Sequence, residues 1–495
     1  MSTPGPHPRK DPRFEGPLTL EGVKEMFQDC ADFTTRTLFP GRAPLHLCYL
    51  VGMVKSERLN DYVFRPLVQR QEQLELGKPG QLDRMEGSVL SAPAVLRRTT
   101  LDQVALDIVS GSCALFLPGE EIVLTVPVPT EDRRGVGEAE NEPALKGSRE
   151  SFTEALRVNT AMIRRHLRAP ELRIGEHIVG RQSLTQVDVL WLEGIADPAT
   201  VEQVEGRLEE MDIDGVEAAG NLEEYLAPNV RSPFPLIAYT QRPDRFCQGL
   251  LEGRVGLLCD GLPLGWILPG TVDQFFKTSQ DRSYHWLAAS ALSLVRWACA
   301  LVTLLLPGLY IALVTFHPET IPARLALSIA AAKQEVPFST IFEVLILLLA
   351  FEVIQEAGLR LPGPIGATVS ILGGLVVGNA AVEAHIVSPA VLIAVAIAGV
   401  AGYTQPSQDF ANALRLWRAG LAILACMGGL AGLALGCAAL IYHLAGLETF
   451  GVPYLAPFTT GAGAPAGHPT LIRLPLPWLK WRDGAVNTQN RRNQQ

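Results

Sequence analysis

Two stretches in the second half of this 495-residue chain carry no charge at all: Trp297 to Phe316 and Ala419 to Tyr442. A helix needs ~20 apolar residues to cross ~30 Å of hydrocarbon, and both stretches reach that length. Between them, Phe338 to Ala357, Ile365 to Ala381 and Ile386 to Tyr403 are mostly apolar but shorter or more polar. Upstream of Leu287 charged residues are dense and no apolar run approaches the thickness of a bilayer. The chain therefore reads as an α/β soluble N-terminal half of two similar lobes followed by an α-helical polytopic membrane domain. The pooled averages, 48% hydrophobic and 19% charged, conceal this division.

The expected organisation is a disordered N-terminus over residues 1–17, a first cytosolic lobe over 18–130 and a linker over 131–148. A second lobe follows over 149–286, then a transmembrane helical domain over 287–446 and a C-terminal tail over 447–495. Met1 to Pro17 is polar and proline-rich without an apolar core, unlike a secretory signal. The first insertion signal then begins near Leu287, which leaves the lobes in the cytosol.

The two lobes show the same landmarks at one spacing. Leu45 to Val54 and Val187 to Ala196 are apolar, strand-forming runs that contain Gly52 and Gly194, 142 residues apart. Leu101 to Leu117 and Pro243 to Leu258 both read helix, glycine turn, strand, with Gly111 and Gly253 again 142 apart. Pro118-Gly119 and Asp260-Gly261 occupy matching hairpin positions. A shared offset across several landmarks points to an internal duplication, the alternative being the strand–helix alternation common to any two α/β domains.

Charge and motifs exclude several functions. A net charge of −9 with no basic stripe opposes a nucleic-acid partner. The eight cysteines form no CxxC pair, so neither a zinc site nor a disulfide framework is expected, and they read as small buried hydrophobes. Phosphate-binding GxxxxGK[ST], dinucleotide GxGxxG, HExxH and GxSxG patterns are missing, so neither enzymatic activity nor a cofactor is expected. Glu202, Glu205, Glu209 and Glu210 read as a solvated helix face. Arg164, Arg165 and Arg168 form the strongest basic cluster, either a solvent-facing stripe or a contact for anionic lipid or a partner.

The polar residues of the apolar half are the candidate functional ones. Glu343, Glu352 and Glu356 fall in one apolar helix, with Glu352 and Glu356 one turn apart and Glu343 roughly opposite Glu352. Carboxylates in a membrane are costly and turn to a bundle interior or to water, so these are cation-attracting candidates together with Glu383. The alternative is a helix at the interface with its acids among headgroups. Gly366, Ser370, Gly374 and Gly378 recur at every fourth position beside Gly373, a small-residue stripe that lets helices approach closely. Ile365 to Asn379, including Val369 and Val376, is the expected pore-facing helix. Asn379, Glu383 and His385 are candidates for its mouth. Arg296 before the first span fits a cytosolic start, and Pro307-Gly308 is expected to kink that span. Arg415 and Arg418 place the start of the last span in the cytosol, yet the tail's Arg473, Lys480, Arg482, Arg491 and Arg492 ask for the same side. One span cannot satisfy both, so the number of crossings stays open.

An ordered series of motifs resembles the A subunit of the GerA-type germinant receptors of endospore-forming bacteria, from about Asp32 to Pro457. It includes Gly147 to Arg165 (GSRESFTEALRVNTAMIRR), Leu192 to Ala196, Asp212 to Gly215, Ser232 to Pro235 (SPFP) and Leu251 to Val255. His317-Pro318-Glu319, Val336-Pro337-Phe338, Gln355 to Pro364 (QEAGLRLPGP) and Gly451 to Tyr454 continue it. The resemblance implies a multi-pass protein of the spore inner membrane working with a transporter-like B subunit and a lipoprotein C subunit. It further implies a homo-oligomer that forms a ligand-gated ion conduit whose opening starts germination. Asn379 stands where the family more usually carries the longer glutamine. Two further readings are a paralogous channel subunit that amplifies germination without sensing nutrient, and a cytosolic ligand-binding or scaffold module merely anchored in the membrane.

Overall fold

The computed structural model describes residues 14, 16–40, 43–69, 80–130, 142, 146–360, 378–456, 458–459, 471–482 and 486–492. In the first lobe, strands β1 (Phe33–Leu38), β2 (Leu45–Leu50), β3 (Leu96–Arg98), β4 (Ser112–Phe116) and β5 (Val123–Pro127) make one antiparallel sheet in the order β1-β2-β4-β5-β3. Helix α1 (Leu101–Val109) leads from β3 into β4. The central strand β4 is buried along its whole length because its two faces feed two cores. Cys113 and Leu115 join Leu47, Val63 and Met85 on one side, while Ala114 and Phe116 join Val104 and Ile108 on the other.

The second lobe repeats this plan. After helix α2 (Leu156–His166), strands β6 (Leu172–Val179), β7 (Thr185–Leu192), β8 (Ala238–Thr240), β9 (Val255–Cys259) and β10 (Gly265–Leu268) pair in the order β6-β7-β9-β10-β8. Helix α3 (Pro243–Leu251) leads from β8 into β9, as α1 does from β3 into β4. The 142-residue spacing of the turn glycines is also the spacing of β3 from β8 and of α1 from α3. Gly111 and Gly253 share the left-handed backbone, with φ of +89° and +92°. A Cβ at Gly111 would lie 2.7 Å from the Met53 carbonyl oxygen, so only glycine fits this turn. At Gly253 the equivalent space is filled by Thr488 of the tail.

The lobes touch through their edges. Cys30 bridges Ile174 of β6 in parallel, with the Ala31 amide donating to the Ile174 carbonyl at 2.9 Å. Arg164 of α2 is fully buried and ion-paired to Asp32 of the first lobe, which corrects its reading as part of a basic surface stripe. Arg165 is half-buried and Arg168 exposed. All eight cysteines are free, five of them buried.

Among the described residues, the C-terminal region includes the helices α4 (Trp286–Ile311, prolonged to Phe316), α5 (Thr340–Arg360), α6 (Pro389–Gly402) and α7 (Gln408–Ala445), with the shorter helix Ala323–Lys333 between α4 and α5. Two of them, Trp286–Phe316 and Gln408–Ala445, are long and apolar enough to cross a membrane. The first continues as helix through Pro307.

The second is two arms, not one rod. Gly429 leaves the helical region (φ 55°, ψ −134°), and the chain reverses there. Trp417 and His443, 26 positions apart and so ~39 Å apart in an unbroken helix, have ring centroids only 5.6 Å apart. Glycines make the reversal feasible. A Cβ at Gly432 would lie 2.1 Å from the Leu424 carbonyl oxygen, and one at Gly436 would lie 2.5 Å from a Leu421 methyl. Phe316, at the end of α4, packs on the Gly429 tip. Ala419 to Tyr442, expected as a single span, thus goes out and returns, and the conflict between Arg415, Arg418 and the basic tail disappears.

The hairpin's open end rests on the second lobe. Phe234 of the SPFP loop lies among Phe410, Trp417, His443 and Tyr454, with ring centroids 5.8, 6.5, 6.2 and 6.3 Å away. Ser232 Oγ and His443 Nε2 are 2.9 Å apart, so the loop touches both arms. The tail returns to this end. Arg473 donates to the Tyr284 carbonyl at 2.7 Å, and the Gln489 amide donates to the Ile195 carbonyl at 3.1 Å.

Candidate functional site

Among the described residues, Glu343, Glu352 and Arg296 each meet a polar partner within or beside the helical region. Glu343, in the first turn of α5, has no solvent exposure. Its Oε2 accepts from the Ser388 amide at 2.8 Å, at the N-terminal end of α6. The partial positive charge of that helix end faces the carboxylate and offsets its desolvation. Its Oε1 is buried without a hydrogen-bond partner among the described residues, and the Tyr310 hydroxyl lies nearby, beside Ser388.

Glu352 stands two turns and a half further along α5, on a different face. It meets Arg418 in a close contact from Nη2 to Oε1, and Arg415 Nη1 stands 3.7 Å from its Oε2. Two guanidinium groups therefore share one carboxylate, and the local charge is positive rather than cation-attracting. Arg296, expected only as a flanking charge, is buried about three turns into α4. It donates to the Phe276 carbonyl at 2.6 Å and pairs with Asp281, tying the helix to the second lobe.

The remaining candidates do not converge with these. Glu356 is exposed one turn beyond Glu352. Asn379 and Glu383 are exposed, and Gly378 is buried against Leu392. Gly366, Val369, Ser370, Gly373, Gly374 and Val376 lie outside the described residues. Glu343 and Glu352 thus face separate internal partners, each on another helix. Ser388 and Tyr310 were not singled out from sequence, and Arg415 and Arg418 were read only as topology signals. A usable signal was present, since arginines three apart on one helix face can answer a single acid in a neighbouring apolar helix.

A second feature lies between the lobes. A cleft of about 680 Å³ is bordered by Asp29, Cys30, His177, Trp191, Glu202 and Glu205. His177 Nε2 is 3.6 Å from Glu205 Oε1 across its wall. The cleft offers an aromatic face and carboxylates to a small polar solute.

Residues 21–485 match the family model described as Bacillus/Clostridium GerA spore germination protein. Spore germination protein B1 of Bacillus subtilis is 35% identical over 457 residues, covering 91% of this chain and 92% of that protein. The uncharacterized membrane protein YfkQ of the same organism is 36% identical, over 88% of this chain and 85% of its own length. Spore germination protein GerLA of Bacillus cereus is 32% identical over 89% of each chain. Among solved structures, the N-terminal domain of the A subunit of the Bacillus megaterium spore germinant receptor GerK3 is 25% identical. It covers 50% of this chain and 92% of that one, with a TM-score of 0.40. By a family match that spans almost its whole length, this chain belongs to the GerA spore germination protein family.

Proposed function

We propose that this chain is the membrane subunit of a nutrient germinant receptor in the inner membrane of the endospore, where copies assemble into a ligand-gated ion conduit. The observation that carries this reading is the family match over residues 21–485, which takes in both lobes and helices α4 to α7. The arrangement of parts supports it. The lobes, the open end of the hairpin and the tail lie together, as expected of a cytosolic face, while Phe316 and Gly429 mark the opposite end. The SPFP loop joins the second lobe to both arms and gives a route from ligand-driven lobe motion to the helices. Partners in this reading are a transporter-like B subunit, a lipoprotein C subunit and further copies of the chain, and no chemical step is catalysed.

The test is ion flux through vesicles containing the purified chain, alone and with its B and C partners. Nutrient-dependent release of potassium is expected only with the partners present. Flux that ignores nutrient in the complete assembly would remove the receptor role, and no flux in any combination would remove the conduit.

The inter-lobe cleft favours a second reading, a cytosolic ligand-binding module anchored by the helices. Millimolar or tighter binding of a metabolite to the full chain, abolished by Trp191→Ala without change in assembly, would support it.

A further inference from the structure

We propose that the Arg415–Glu352–Arg418 cluster binds the phosphate of an anionic lipid headgroup, in the leaflet on the side of the lobes. The proposal rests on the membrane reading above and adds to it a specific lipid site. Charge is the first argument. Among the described residues, Glu352 is the only carboxylate within ion-pair distance of either guanidinium, so the cluster carries one uncompensated positive charge. Unused donors are the second. Arg418 takes Glu352 at close range, whereas Arg415 approaches it only at 3.7 Å, beyond hydrogen-bond length. The Arg415 side chain is 16% exposed, yet its five N–H donors make no hydrogen bond among the described residues. A planar fork that is only partly exposed and whose donors are left unused suits a phosphate that supplies two or more acceptors.

Position selects a lipid over a free anion. Arg415 lies five residues, ~7.5 Å of helix, beyond Phe410, which stacks on Phe275 of the second lobe at 5.9 Å. This depth corresponds to the boundary between headgroups and acyl chains, which a long guanidinium reaches readily. The flanks are apolar and outward: Leu416 is 64% exposed and Val353 60%. Tyr403, at the end of α6, is within electrostatic reach of all three charged groups and is itself largely exposed. A tyrosine at this level adds a hydroxyl donor and the amphipathic ring common at bilayer interfaces. The exposed edge of the cluster is therefore bordered by side chains suited to acyl chains rather than bulk water.

The test uses the full-length chain in detergent, examined by native mass spectrometry with phosphatidylglycerol, phosphatidylcholine or inorganic phosphate added. Retention of phosphatidylglycerol should exceed that of phosphatidylcholine by roughly fivefold or more. Arg415→Gln should abolish the preference, and Arg415→Lys should keep only part of it, since the charge stays and the fork is lost. Equal retention of the two lipids by the wild-type chain overturns the site and needs no variant to fold. Displacement of phosphatidylglycerol by millimolar phosphate also overturns it, by marking a free-anion site. Flotation with phosphatidylcholine vesicles separates the two readings. A chain that fails to float removes the membrane reading itself, and one that floats without lipid preference removes only this site.

Discussion

Arg164 and Asp32 meet end-on across the boundary between the two lobes, Nε to Oδ2 at 2.9 Å and Nη2 to Oδ1 at 2.8 Å. Neither side chain is more than 1% exposed. Burial opposes the charge on Arg164, but the facing carboxylate outweighs it and holds the guanidinium firmly protonated. A third donor, Nη1, satisfies the Leu172 carbonyl at 2.9 Å, so the pair also fixes the start of β6. Breaking such a pair strands a charge in the interior at a cost of ~3–5 kcal/mol. Asp32→Ala should therefore lower the melting temperature of the full-length protein sharply, while Asp32→Ala with Arg164→Met should recover most of the loss. Melting temperatures from circular dichroism decide it. A double variant no better than the single would show that the charge is not the reason.

Glu343 is expected to act as a structural acceptor at the head of α6. Glu343→Gln retains an oxygen for the Ser388 amide and should cost less than ~1 kcal/mol. Glu343→Leu leaves that buried amide unsatisfied and should cost ~1–3 kcal/mol. Thermal unfolding in detergent measures both. If Glu343 instead supplied charge to a conduit, Gln and Leu would abolish flux equally while leaving stability alike.

Asp188 gives the lobes a pH dependence of defined sign. Its side chain has no exposure, its Oδ2 accepts from Thr160 at 3.1 Å, and its Oδ1 has no hydrogen-bond partner among the described residues. Burial pushes its carboxyl up to about 6, against the lowering influence of Arg157 and Thr160. A raised carboxyl means that the folded state holds its proton more tightly than the unfolded chain. Protonation therefore favours folding, fully below about pH 4, and this contribution fades as pH rises through about 6. A shift of about two units sets its ceiling on the order of 3 kcal/mol. Asp188→Asn, an isostere of the neutral acid, should match the wild type near pH 4 and exceed it in stability at pH 7. Melting curves across that range test this, and a gap independent of pH would refute it.

What the sequence disclosed depended on whether the determining interaction was local. The twin lobes were legible because Gly52, Gly111 and Gly119 announce turns by residue type alone, and their counterparts recur at one spacing. Arg164 was misread for the opposite reason. On its helix it looks like part of a basic stripe, and the Asp32 that buries it lies 132 residues away. Glu352 stands likewise 66 residues from Arg418, so its charge seemed unanswered. The hairpin escaped because hydropathy records solvent preference and not direction, and Gly428-Gly429 is one glycine pair within an unbroken apolar run.

The hairpin makes a prediction about sidedness that a single span cannot share. If α7 reverses at Gly429, the tail returns to the lobes, while the loop after Phe316 lies at the other end of the bundle. In a background with the eight native cysteines replaced, Lys480→Cys and Glu57→Cys should be equally shielded from an impermeant maleimide applied outside intact cells. Glu319→Cys, in the far loop, should react. Labelling of position 480 from outside would restore a single crossing and discard the hairpin. The reversal should also depend on the space around its tip. A Cβ at Gly429 would stand 2.9 Å from Phe316 in a backbone conformation that side chains rarely adopt. Gly429→Val should therefore lose folded protein, whereas Gly420→Ala, with open space around it, should not. The amount of detergent-soluble, monodisperse chain measures both, and equal yields would mean that Gly429 does not hold the turn.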